Sequence, residues 1–274
     1  MLAKDNPINV PTSPSSALVD PRRPYAAIFP RTQNITERGS DGSSSYHGLQ
    51  MKYSKRLAAG LQALVSYTWS KTIDNTNIVW PYDDTFNRGL GTGKAPDMPH
   101  VFVARYFYEL PFGKGWKFLS DIPRAADFII GGWQVNGITN VRSGTPLVVT
   151  LATSQLNTTT NNYANLTCSD VGLPKSVDRW FDTSCFVTPP QLAFGNSGKS
   201  HARGPGVVNF DLSLFKKFAI DEKRAIEFRS EFFNAFNNPH FANPNTSLGN
   251  ANFGKITATV LTSREIQFGL KLAF

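Results

Sequence analysis

The chain of 274 residues is long enough for one large domain or two small ones; 41% of it is hydrophobic, and 21 Phe, 21 Gly and 18 Pro favour strands and turns over helices. Its net charge of +8 is spread in small groups, Lys52/Lys55/Arg56, Lys216/Lys217 and Lys223/Arg224, that fall where strand-like runs begin or end, which argues against a nucleic-acid partner. No apolar run reaches the roughly 18 residues that a spanning helix needs, and Met1–Ser16 lacks the basic, apolar and small-residue pattern of a signal peptide. Any membrane crossing must use strands, and an export signal is expected upstream of the sequence.

Taken in chain order, the alternation of apolar and polar residues predicts seven strands. They run at about Ser44–Arg56, Leu61–Lys71, Met98–Leu110, Gly132–Ser143, Val207–Ala219, Arg224–Phe236 and Ser263–Phe274. In the second strand Leu61, Ala63, Val65, Tyr67 and Trp69 share a face, with Gln62, Ser66 and Thr68 opposite. Tyr67 and Trp69 fall at one strand end, where a membrane interface selects aromatic rings with polar tips. In the last strand Ile266, Phe268, Leu270, Leu272 and Phe274 alternate with Glu265, Gln267, Gly269, Lys271 and Ala273, which suits an apolar wall with a wet inner side.

The connections alternate in length. Leu57–Gly60 and Ile220–Lys223 are tight and Pro111–Gly131 is intermediate, whereas Thr72–Asp97, Gly144–Gly206 and Asn237–Thr262 are long. That asymmetry is expected of bacterial barrels, with short periplasmic turns and long extracellular loops. Placing the C-terminus in the periplasm puts every tight turn on that side. Residues 1–43 then form an extracellular loop or irregular segment, and residues 44–274 form the C-terminal part of a barrel. The expected fold is all-β, an antiparallel transmembrane β-barrel fragment with long extracellular loops. Single-chain bacterial barrels close with even strand numbers, so seven strands imply a piece of a larger barrel.

Several segments resemble the Oar-like TonB-dependent receptors: Arg22–Tyr25, Tyr46–Arg56, Leu64–Asp74, Gly132–Gly137, Arg142–Pro146, Arg203–Gly206, Asp211–Lys217 and Glu231–Pro239. The resemblance runs from about Pro21 to Phe274 and implies the last third or so of a large outer-membrane barrel. Ending on an aromatic is shared with outer-membrane barrels, whose last strand is an assembly signal; here that implies Phe268, Leu270, Leu272 and Phe274. The implied partners are outer-membrane lipid, the barrel-assembly machinery and an unknown ligand. The TonB complex would act only through an N-terminal plug that the resemblance does not cover.

Residues that look chemical have plainer readings. Gly89–Lys94 superficially resembles a phosphate-cradling loop, but Pro96 and Pro99 oppose the helix such a loop must open. Asp83 and Asp84, flanked by Asp74 and Asp97, have carboxylates that suit a hard cation, yet their spacing matches no calcium loop and they read as solvated loop residues. His47, His100, His201 and His240 lack zinc-site spacing, and no nucleophile elbow or triad spacing occurs. No catalytic, cofactor or metal residues are therefore expected, and the chain is read as no enzyme. Cys168 and Cys185 share the longest extracellular loop, in an oxidising compartment, and are expected to pair, closing about 18 residues for roughly 3 kcal/mol. Asn157–Asn165 reads as a polar loop tip.

The expected function is uptake or export across the bacterial outer membrane, with ligand caught by the long loops at Trp80, Tyr82, Trp180 and Phe181. One alternative is a structural or adhesive surface protein without transport. Another is a soluble glycan-binding β-sandwich, which would require a second sheet against the face carrying Phe268, Leu270 and Leu272.

Overall fold

A computed structural model describes residues 44–74, 97–153, 162–172, 175–191, 193, 195–197, 201–221 and 224–274. Seven long strands form one antiparallel sheet: β1 (Ser44–Ala58), β2 (Leu61–Asp74), β3 (His100–Glu109), β4 (Trp133–Arg142), β8 (Val207–Ala219), β9 (Ala225–Phe233) and β11 (Glu265–Ala273). Each neighbours the long strand before it in the chain, so the sheet is an up-and-down meander, as the alternating sequence pattern predicts. All are 9 to 15 residues long, enough for a tilted strand to cross a bilayer core. The sheet is not closed: β1 and β11 are its edges among the described residues.

Register gives the sheet two chemically distinct faces, because directly paired residues in an antiparallel ladder point the same way. From Leu270 the pairing passes to Phe228, Lys216 and Trp133, and from Leu272 to Ile226 and Phe218. Farther along the sheet the same face carries Val135, Tyr108 and Leu61, then Val65, Tyr67 and Trp69. The opposite face carries Gln267 and Glu231, then Ser213 and Asn136, with Arg229 and Lys271 nearby. On that polar face Gln267 hydrogen-bonds Glu231, and Arg229 donates to Glu227 and lies 4.9 Å from the Phe215 ring centroid. The large side chains of the apolar face are not hidden from solvent. Leu270 is 76% exposed, and Phe268, Leu272 and Trp69 are exposed as well. Among the described residues no second sheet covers this face, as the β-sandwich alternative would require.

The two ends of the sheet differ. At one end β1 and β2 are joined by Ala59 and Gly60, both with positive φ (54° and 75°), the mirror-image turn whose twist matches that of a hairpin. At the same end Arg224 closes the β8–β9 turn onto the Asp221 carboxylate, its backbone N–H donating at 2.7 Å. The third connection at this end contains a helix that the alternation did not reveal, Arg124–Ile130. At the other end the long connections carry small strands of their own: β5 (Thr150–Leu151), β6 (Asn165–Leu166), β7 (Phe186–Val187) and β10 (Ser247–Leu248). There β10 pairs with β5 and β6 with β7.

Candidate functional site: the loop cap and its clamp

The long connections between β4 and β8 and between β9 and β11 fold together into a cap with an apolar core of its own. Leu147, Val149, Leu151, Ala164, Phe181 and Phe186 are buried in it, and Phe253 from the last connection packs against them. Phe181 sits at its centre, 2% exposed, with its ring edge-on to Phe186 (5.6 Å) and Phe253 (5.4 Å). Phe181 is therefore a core residue and presents no surface to a ligand, contrary to the expectation from its place in a loop. Trp180 beside it is half-buried, its indole N–H donating to the Arg203 carbonyl at 2.7 Å. Trp80 and Tyr82 lie outside the described residues.

Cys168 and Cys185 are joined by a disulfide, with Cα atoms 5.2 Å apart. It ties the segment after β6 to the 3-10 turn Thr183–Cys185, which the Asp182 side chain caps. Hydrogen bonds from the Ser184 hydroxyl, the Arg179 guanidinium and the Ser184 N–H hold the Asp182 carboxyl below the usual carboxylate range. The polar segment before the disulfide is not a free tip where it is described: Asn162, Tyr163 and Ala164 are fully buried. The Asn162 amide accepts from the Gly195 N–H (3.1 Å) and donates to the Ala193 carbonyl (2.9 Å), so it stitches two loop strands together from inside. Residues 157–161 lie outside the described residues.

The cap is fastened to the sheet by a clamp around Asp97. The carboxylate, read from the sequence as solvated, has no exposed side-chain surface. The Thr72 N–H donates to it at 2.9 Å and the Lys71 ammonium at 2.9 Å, both from the end of β2. Arg203 donates to the same carboxylate and to the Asp97 carbonyl (2.8 Å), and reaches the Gly144 carbonyl (3.3 Å). Burial opposes ionisation of Asp97, but the Thr72, Lys71 and Arg203 donors outweigh it and keep the pKa below the usual Asp range. The Asp97 carboxylate thus joins the end of β2 to the connection between β4 and β8.

The segments Arg142–Pro146 and Arg203–Gly206 meet at the clamp: the Leu147 N–H donates to the Ala202 carbonyl (2.8 Å) and the Gly204 N–H to the Thr145 carbonyl (2.9 Å). Gly144 passes so close to Gly204 that a Cβ on it would collide with the Gly204 carbonyl oxygen, so no other residue fits there. Asp83 and Asp84 lie outside the described residues, as do Gly89–Lys94. Among the described residues no three His, Cys, Asp or Glu side chains stand together as metal ligands would.

A family model described as an outer membrane beta barrel domain matches residues 2–267. The chain belongs to this outer-membrane β-barrel family. No curated protein matches the chain. Membership accounts for the inverted exposure of the sheet, since the apolar side chains of a barrel wall face lipid and the polar ones face the lumen. It also places the protein in the bacterial outer membrane. An open edge in hydrocarbon would leave a row of unpaired N–H and C=O groups. The barrel wall therefore needs further pairing at β1 and β11 beyond what the described residues supply.

Proposed function

We propose that the barrel is the C-terminal part of an Oar-like TonB-dependent receptor, which takes a ligand at its outer loops and passes it through the lumen. The observation that carries this reading is the unequal pair of ends on a two-faced sheet. Tight turns suit the periplasm, and a folded, cross-linked cap over a polar lumen suits capture outside the cell. Trp180, with Trp80 and Tyr82, remains the proposed ligand contact, while Phe181 is withdrawn to the core. Phe268, Leu270, Leu272 and Phe274 line the exposed outer face of β11 and its end, which supports their proposed role as the assembly signal. TonB would act through a plug preceding residues 44–274, and the role is one of transport without catalysis.

The test is cross-linking of the protein to the periplasmic domain of TonB in intact outer membranes, paired with uptake measured with and without an energised inner membrane. Cross-linking and energy-dependent uptake are expected. A protein that assembles in the membrane but gives neither is a structural or adhesive surface barrel.

A further inference from the structure

The third connection at the tight-turn end, between β3 and β4, leaves unusual surface exposed. The Phe112 and Phe118 rings pack at a tilt with centroids 5.7 Å apart, and the helix Arg124–Ile130 follows. Trp116, Phe118, Leu119, Phe128, Ile129 and Ile130 are all exposed, Ile129 at 68%. Asp127 is engaged internally: its carboxylate accepts the Lys114 N–H at 2.7 Å, and its carbonyl accepts the Gly131 N–H at 2.8 Å. Lys114, Lys117 and Arg124 remain exposed, opposed by Asp121. The apolar residues of this segment are those a folded turn in water would hide.

The helix sits on the lipid-facing side of the wall. Phe128 packs on Phe218 of that face at 5.0 Å, and the Trp133 indole donates to the Ile129 carbonyl at 2.9 Å. Lys216 is the decisive residue. Register puts it among Trp133, Phe228 and Leu270 on the apolar face, yet it is only 3% exposed. Its ammonium donates to the Ile129 carbonyl (3.0 Å) and the Gly131 carbonyl, and lies over the Trp133 and Phe218 rings at 5.4 Å and 5.0 Å. A cation on a lipid-facing wall is costly near the bilayer centre and tolerated near the interface. Here the carbonyls at the helix C-terminus solvate the ammonium in place of water, and the Trp133 and Phe218 rings cover it.

We infer that residues 111–131 form an interfacial anchor that seats the barrel in the periplasmic leaflet of the outer membrane. Its exposed rings and isoleucines enter the acyl boundary, and Lys114, Lys117 and Arg124 meet the phosphates of anionic glycerophospholipids. The occupant is lipid because Phe128 joins the patch to the apolar wall at Phe218 and its flanking charge complements anionic headgroups. The inference rests on the orientation proposed above, with the tight turns in the periplasm.

The experiment places a nitroxide label at Ile129→Cys in the full chain, inserted into vesicles of phosphatidylethanolamine and phosphatidylglycerol, with Leu270→Cys on the open wall as reference. Cys168 and Cys185 are paired, so each variant carries one reactive thiol. Collision with oxygen should exceed collision with a water-soluble nickel chelate at both positions, and position 129 should lie nearer the headgroups. Replacing Lys114, Lys117 and Arg124 by Glu should shift the label at 129 toward water in phosphatidylglycerol vesicles and leave the label at 270 unmoved. A label at 129 that is open to the nickel chelate, or shielded from both reagents by protein, while 270 remains in lipid, overturns the anchor alone. Water exposure at both positions overturns the orientation of the wall as well.

Discussion

The barrel wall and the loop cap treat their large apolar side chains in opposite ways. On the wall Leu270 and Phe268 are 76% and 70% exposed, whereas in the cap Phe181 and Leu147 are 2% and 4% exposed. The cap is built like a domain in water, with a packed aromatic centre, a disulfide and buried amides. The wall is built for a solvent as apolar as its own side chains, so its backbone ladder and the alternation of its faces carry the structure. One chain therefore folds by two rules, and the Asp97 clamp is where they join.

The largest effect that separates the two regions is expected from Phe181→Ala. Deleting this ring should cost the cap about 3–5 kcal/mol and make the long connections sensitive to protease, while the wall keeps its resistance to unfolding in detergent on gels. Loss of the wall with the cap would show that the two regions do not fold by separate rules.

Next comes the wall itself. Leu214 lies on the lipid face in the middle of β8, so Leu214→Arg should destabilise membrane insertion by about 2–4 kcal/mol, measured by urea unfolding in vesicles. Ser213→Arg, one residue away on the polar face, should cost about 0.5 kcal/mol or less. Equal costs at the two positions would break the assignment of faces.

The clamp gives a pH-dependent test. Because the folded pKa of Asp97 is below its unfolded value, its contribution is present above the unfolded pKa, about 4. It is lost as pH falls through the folded pKa. Asp97→Asn should weaken docking of the cap by about 1–3 kcal/mol at pH 7 and remove the part of the acid sensitivity that Asp97 contributes. The gap between thermal melts of the two proteins should narrow as the pH is lowered from 7 toward the folded pKa of Asp97.

A more modest loss is expected at the β1–β2 turn. Gly60→Val at φ 75°, where a Cβ would also meet the Glu109 carbonyl at 3.0 Å, should cost about 1–2 kcal/mol. Refolding yield into vesicles would report it.

All seven wall strands were legible in the sequence because a wall strand shows its environment residue by residue: period two, apolar outside, polar inside. Their ends agree with the structure within three residues, the largest differences being β2, which runs on to Asp74, and β9, which stops at Phe233. The cap was not legible in the same way. Its strands β5, β6, β7 and β10 are two residues each, too short for any periodicity, and its core is gathered from positions as distant as Leu147 and Phe253. Phe181 and Asn162 read as exposed because nothing in their neighbourhood shows the partners that bury them.

Three further features had no local signal. Asp97 and Arg203 are 106 residues apart, and a carboxylate among other loop carboxylates gives no sign that a distant guanidinium will bury it. Lys216 looks like a strand-end charge until the register sets it on the apolar face and a separate segment supplies the carbonyls that hold it. Sequence alone determined the two-faced strands and their alternation of short and long connections, because these depend on neighbours in the chain. The cap core, the clamp and the helix against the wall were decided only by tertiary structure, because each depends on contacts between residues that no spacing along the chain relates.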